Sequence, residues 1–343
     1  MTPHPVDPAR RRRIEVLFDQ CADLPAGQRA RFLEVAAAGD PELRRAVEAL
    51  LASAERADST GRLERVVAAA FDGARARGQP RAGHRYEVLE KLGSGGMGSV
   101  YRARERESGR LVALKFLAGS LAEDPVIRRR FHREGEAAAQ LAHTNIGAIH
   151  GVEESDEGQH FIVMPYYAGG TLKRAIADGP LSVDRAVACA IQIAEGLTHA
   201  HAAGVIHRDI KPANLMFDAD GTLKILDFGI AKIAGEKLTR TGLVLGTFAY
   251  MSPEQASGRA LDHRTDLWAL GVVTHEMLAG RPPFSAASIE QLFRAVRSEP
   301  PPPLRTLRSE VPAVVEAVVL RLLEKDPARR HPDAAAVAAA LRG

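Results

Sequence analysis

From Tyr86 onward, apolar and polar positions alternate in short runs bounded by glycine, and this period of two predicts strands as far as about Val163. After Leu172 the apolar spacing changes to three and four, which predicts helices through the rest of the chain. A strand-rich segment followed by a helix-rich one predicts an α+β architecture in two lobes with a cleft between them. Upstream the pattern is helical but short. Asp7-Pro8 reads as an N-cap with proline at the first helical position, followed by Ile14, Leu17, Phe18 and Cys21 at helical spacing. Leu24-Pro25 opens a second helix carrying Phe32, Leu33 and Val35. Gly39-Asp40-Pro41 ends it and caps a third, with Leu43, Val47, Leu50 and Leu51 on one face. Arg62 to Phe71 is a further helical stretch, and Gly73, Gly78, Pro80 and Gly83 make the remainder a linker. The expected division is a helical region over 1–57, a linker over 58–84, and a main domain over 85–343 with lobes at 85–165 and 168–343.

Composition narrows the class without naming it. The 343 residues are 45 % hydrophobic and 26 % charged, ordinary for a chain that buries a core, and the net charge of +3 implies no nucleic-acid partner. Two cysteines make neither a disulfide framework nor a zinc site, and fit a reducing cytoplasm. No run of about 18 apolar residues is present to span a membrane, and the first residues lack the apolar stretch of a secretory signal.

The chemistry lies in the main domain. Leu92-Gly93-Ser94-Gly95-Gly96-Met97-Gly98-Ser99-Val100 has the form G-x-G-x-x-G-x-V, in which glycines let backbone N–H groups approach phosphate oxygens. Such a run is also compatible with an ordinary turn or a dinucleotide site, but the latter needs a helix to follow directly. Here Val100-Tyr101-Arg102-Ala103 continues as a strand, so the glycines sit in a hairpin. The next strand holds Val112-Ala113-Leu114-Lys115, where a lysine amid apolar neighbours needs an anion. The helix Pro125 to Leu141 offers Glu134 and Glu136, two apart and so on different faces. The segment His207-Arg208-Asp209-Ile210-Lys211-Pro212-Ala213-Asn214, followed thirteen residues later by Asp227-Phe228-Gly229, matches H-R-D-x-x-x-x-N and D-F-G in order and spacing.

With these motifs the chain resembles the eukaryotic-like serine/threonine protein kinases of bacteria, over about Tyr86 to Leu341. The resemblance implies a two-lobed protein kinase fold, β-rich then α-helical, preceded by a small helical region like the leader found before many such domains. It implies ATP as phosphoryl donor, Mg²⁺ (or Mn²⁺ in its place) and protein substrates. Asp209 would accept the hydroxyl proton, Lys211 would stabilise the transferred phosphoryl, and Asn214 and Asp227 would hold the metal. Lys115, fixed by Glu134, would hold the inner phosphates. Leu92, Val100, Ala113 and Met216 would enclose adenine, with Met164 as gatekeeper. Pro165 offers a carbonyl and Tyr167 an amide at the hinge, although the family commonly has Glu where Pro165 stands.

Gly246-Thr247-Phe248-Ala249-Tyr250 and Lys211 resemble serine/threonine rather than tyrosine kinases, and Ser252-Pro253-Glu254 replaces the commoner A-P-E. Thr247 would bond near Asp209 and Lys211. Asp266 in Asp266-Leu267-Trp268 would brace the catalytic loop, and Arg330 would pair with Glu254. A pseudokinase scaffold is the competing class, and it commonly lacks one member of the set that is complete here. A small-molecule phosphotransferase would not need the Gly246 to Glu254 segment. Residues 1–57 are candidates for a regulatory partner or for self-association.

Thr239 and Thr241 align with the threonines that bacterial relatives autophosphorylate, and Arg208 is the expected cation for their phosphate. Incubated with ATP and Mg²⁺, dephosphorylated protein is therefore expected to gain phosphate on Thr239, Thr241 or both, read by mass spectrometry, and to speed up as it does. A double alanine variant matching the wild type with no lag would show instead that the loop works as an unmodified polar segment.

Overall fold

The computed structural model describes residues 82–95, 98–122, 124–228, 245–286 and 288–343, and before them Leu17, Leu33, Ala37, Asp40, 42–45, Val47, Glu48 and Pro80. The chain divides into two compact units, Met1–Pro80 and Arg81–Gly343. In the first, Leu17, Leu33, Leu43 and Val47 are helical and buried. The Asp40 carboxylate accepts the Leu43 N–H at 2.9 Å, the cap expected there. Leu50, Leu51 and the stretch from Arg62 to Phe71 lie outside the described residues.

The second unit opens with a five-stranded antiparallel sheet: β1 (Tyr86–Gly95), β2 (Gly98–Glu105), β3 (Leu111–Leu117), β4 (Gly151–Glu154) and β5 (His160–Pro165), ordered β1-β2-β3-β5-β4. The period of two sends the residues of β3 to opposite faces. Val112, Leu114 and Phe116 join Tyr86, Phe161 and Val163 in one apolar cluster. Ala113 and Leu117 join Ile162 and Met164 in another. The second cluster is closed by Ile127 and Phe131 from α2 (Pro125–Ala139), which follows the single turn α1 (Gly119–Ala122). Alternation puts Lys115 on this helix-covered face. Further along α2 and just past its end, Ala138 and Leu141 are buried in a different core, that of the helical lobe, so the helix is shared between the two.

That lobe comprises α3 (Leu172–Ala177), α4 (Val183–Ala202), a small β6 (Leu215–Phe217) and β7 (Leu223–Ile225) ribbon, α5 (Pro253–Ala256), α6 (Arg264–Ala279), α7 (Ile289–Ser298), α8 (Leu304–Leu307), α9 (Ala313–Leu322) and α10 (Ala334–Arg342). Helix α6 is apolar nearly all round and buried over most of its length, as expected of a helix at the centre of a bundle. Gly280 ends it in the left-handed conformation with φ 72°. Ser182, Ser252, Ser288 and Asp333 cap their helices by accepting N–H bonds, so local sequence sets these starts.

Arg330 locks the far end of the lobe. Its guanidinium meets Glu254 bidentately at 2.8 and 2.9 Å, donates to the Arg264 and Glu324 carbonyls, and lies over the Trp268 ring. Both partners are buried. Burial pushes the Glu254 carboxyl up, but the Arg330 bonds and charge win and hold it below the usual carboxylate range. Its stabilisation is therefore present above the unfolded pKa of about 4.3 and is lost as pH falls through the lower folded value. Removing one partner strands the other charge. Arg330→Met is expected to cost about 3–5 kcal/mol in urea unfolding, and adding Glu254→Gln should recover part of it. Equal stability of Arg330→Met and wild type would show that the pair contributes nothing net.

Candidate active site

The loop between α4 and β6 carries Asp209, Lys211 and Asn214, and the turn after β7 carries Asp227. Arg208 and Asp227 both have positive φ, 69° and 65°, and among the described residues no other non-glycine does. Each such conformation costs on the order of 1–3 kcal/mol and persists only where neighbours enforce it. For Arg208 the enforcement comes from α6. The fully buried Asp266 accepts the His207 N–H at 2.8 Å on one oxygen and the Arg208 N–H at 2.7 Å on the other. His201 meets the first oxygen through Nε2 at 2.8 Å. From the opposite direction Gln255 Nε2 donates to the Arg208 carbonyl at 2.9 Å.

His207 then ties the two halves of the site together. Its Nε2 lies 2.8 Å from the Leu226 carbonyl, which can only accept, so this nitrogen carries the proton. Nδ1 is left to accept the Asp209 N–H at 3.2 Å. A neutral imidazole thus links the residue before Asp227 to Asp209 itself, with the Phe228 ring packed edge-on against it.

The Asp209 carboxylate receives Lys211 Nζ at 2.8 Å and Asn214 Nδ2 at 3.0 Å, while the same Nδ2 also donates to the Asp209 carbonyl at 2.8 Å. With its amide hydrogens spent in this way, Asn214 has its neutral Oδ1 left to offer. Across the cleft, Lys115 Nζ of β3 meets Asp227 Oδ1 at 2.7 Å. Burial pushes the Asp227 carboxyl up, but the Lys115 charge and hydrogen bond, helped by the Lys211 charge, hold it below its ordinary value. It is ionised at neutral pH and able to bind a cation. Among the described residues no group of three or more His, Cys, Asp or Glu forms a metal cage. An ion held by one carboxylate and one amide oxygen, and otherwise by phosphate and water, is the mode that suits Mg²⁺.

On the nucleotide side, Val100 packs on the cluster holding Ala113 and Met164, and Ala113 is the β-register partner of Met164. Behind Met164 a small cavity reaches Asp227 and Phe228. Leu92 is 41 % exposed on β1, and Met216 lies half-buried on β6, bridged to Thr171. Pro165 ends β5, and the buried Tyr167 accepts the Ala148 N–H on its hydroxyl. Gly93 lies on β1 and Gly98 opens β2. With φ 151°, Gly98 sits so close to β3 that a Cβ would fall 1.8 Å from the Phe116 carbonyl oxygen, so no other residue fits. Gly96, Met97, Gly229, Thr239 and Thr241 lie outside the described residues, as do the side chains of Ser94, Glu134 and Thr247. The described partner of Lys115 is therefore Asp227, and the expected pairing with Glu134 is left open.

Residues 86–339 match the family described as protein kinase domain. This chain belongs to that family. The kinase domain is 41 % identical over 266 residues to the serine/threonine-protein kinase PknB of Mycobacterium tuberculosis, covering 75 % of this chain and 42 % of that protein. It is 40 % identical over 271 residues to the serine/threonine-protein kinase pkn3 of Myxococcus xanthus, covering 76 % and 50 %. This chain thus spans half or less of the length of these curated relatives. The crystal structure of the Mycobacterium tuberculosis PknI kinase domain superposes with a TM-score of 0.60 at 31 % identity, covering 78 % of this chain and 98 % of that one.

His201 and Gln255 escaped the sequence reading, since their contacts span 65 and 47 residues and neither stands in a motif as a partner of the loop. The kinase domain's dependence on Asp266 is directly measurable. Asp266→Asn keeps the shape but turns an amide NH₂ toward one of two backbone donors, and unfolding stability is expected to fall by about 2–4 kcal/mol in denaturant titration. A loss within about 0.5 kcal/mol would mean the loop holds its shape without this carboxylate.

Proposed function

We propose that this chain is a non-specific serine/threonine protein kinase that moves the γ-phosphoryl of ATP, with Mg²⁺, onto protein hydroxyls. The single observation that carries the proposal is the convergence of Lys115, Asp209, Lys211, Asn214 and Asp227 through direct bonds on one cleft.

Phosphoryl transfer asks mainly for alignment and charge neutralisation. Asp209, its carboxylate oriented by Lys211 and Asn214, accepts the hydrogen of the incoming Ser or Thr hydroxyl and so aims that oxygen at the γ-phosphorus. The new O–P bond forms as the bond to the β-phosphate oxygen breaks; the hydroxyl proton passes to Asp209, and ADP leaves with the electron pair. Lys211, beside Asp209, faces the charge that develops on the transferred group. Lys115 and Asp227 neutralise each other through their direct ion pair. With nucleotide bound, Lys115 would hold phosphate oxygens, and Asp227 and Asn214 would hold Mg²⁺. Mg²⁺ supplies neutralisation of the phosphate oxygens.

The proposed setting is the cytoplasm. Cys189 is a free, buried thiol, and among the described residues no helix is long and apolar enough to cross a membrane. Protein substrates follow from the reading as a kinase, and residues 1–57 remain the proposed place for a regulatory partner or self-association.

Purified protein with ATP and Mg²⁺ is expected to phosphorylate itself and a generic protein on Ser or Thr. Asp209→Asn and Lys115→Met should each lower kcat by two or more orders of magnitude, and Asp227→Ala should remove the Mg²⁺-dependent part of the ATP thermal shift. Phosphotyrosine as the main product, or full activity in Asp209→Asn, would overturn the proposal.

A further inference from the structure

The outward side of α2 carries a second site that no step of phosphoryl transfer uses. At 100° per residue, Pro125, Arg129, His132, Arg133 and Glu136 fall on the side away from Ile127 and Phe131, which face the sheet core, and Arg128 stands at the margin of that side. With His160 of β5 these six residues line an open groove of about 470 Å³.

Three features distinguish the groove from a solvated helix face. First, the side chains of Arg128, Arg129 and Arg133 form no ion pair or hydrogen bond among the described residues. Second, the cations outnumber the acids that face them: Glu136 lies in the groove, and Glu154 stands behind it, 3.8 Å from His160 Nδ1. Third, the floor is built. His160 is 7 % exposed, and its Nδ1 lies 3.2 Å from His132 Nε2, with the two rings nearly perpendicular. One of these nitrogens must donate and the other accept. Burial, His132 and Arg128 press the His160 imidazole toward its neutral form, and Glu154 opposes them.

A phosphoryl group carries about −1.5 to −2 charges and three strong acceptor oxygens, and guanidinium forks recognise it bidentately. The walls of the groove are Pro125, imidazole faces and arginine stems, suited to an apolar neighbour of the phosphorylated residue. A concave site lined by one helix and one strand residue does not extend into the broad basic surface that a nucleic acid or bilayer needs, and the whole chain is only +3. We propose that this groove binds a phosphoserine or phosphothreonine peptide of a partner protein and docks that partner on α2 and β5. The site uses no catalytic residue, so it stands or falls apart from the transferase reading.

The test is fluorescence anisotropy on the full chain, with its cleft saturated by a non-hydrolysable ATP analogue. The probe is a labelled peptide holding one phosphoserine beside a leucine and no other hydroxyl residue. Saturable binding is expected, at least tenfold tighter than for the unphosphorylated peptide and at least tenfold weaker in Arg129→Ala/Arg133→Ala. These exposed substitutions should leave the thermal midpoint unchanged, so loss of binding will not be loss of fold. Equal affinity for the two peptides, or undiminished affinity in the double variant, overturns the proposal. Inorganic phosphate binding as tightly as the phosphopeptide, or stronger retention by anionic vesicles, overturns it as well.

Discussion

The buried carboxylate of Asp266 is the point on which the geometry of the site rests. It sits on a helix buried over most of its length and spends both oxygens on consecutive backbone N–H groups of the loop that carries Asp209. A buried anion is costly unless its lone pairs are used, and here three donors use them. In exchange, Arg208, the residue before Asp209, is held at positive φ. His207 then carries the placement onward to Leu226 and so to the turn at Asp227. The residues proposed for catalysis, from two separate segments, thus share one reference, the kind of support a reaction limited by alignment requires.

Electrostatic balance in the cleft rests on two close pairs of opposite charge among the described residues. Lys115 meets Asp227, and Lys211 meets Asp209. Each pair neutralises both of its members. In the proposed reaction a nucleotide with its metal would satisfy both members of the Lys115–Asp227 pair at once, exchanging one ion pair for two contacts. The distant Glu254–Arg330 pair has no such exchange available, being closed off from solvent on all sides, and acts as a fastener.

Much of this was legible in the sequence, for reasons that can be located. The hairpin character of the glycine segment followed from the strand pattern after Val100, and the register Gly95 with Gly98 agrees with it. The capped helix starts were readable because capping is local chemistry. Asp266 and Arg330 were accessible through resemblance, and their partners lie where that resemblance put them. What the sequence could not disclose were pairings formed only by the fold. His201 and Gln255 are ordinary residues on helices, and their roles arise because α4, α5 and the loop meet. The same holds for Lys115, whose described partner comes from the other lobe, and for His132 with His160, brought together from a helix and a strand 28 residues apart.

Helix α2 has its first turns bound to the sheet by Ile127 and Phe131, while Ala138 and Leu141 at its far end belong to the core of the other lobe. Tightly packed cores resist shear, so a rod embedded in both behaves as a lever whose fulcrum is its C-terminal end. A change in the angle between the lobes must therefore swing its N-terminal end farthest, the end where Pro125, Arg128 and Arg129 stand. Mechanical advantage runs both ways along a lever. A modest load at those first turns exerts more torque on the hinge than the same load near Ala138.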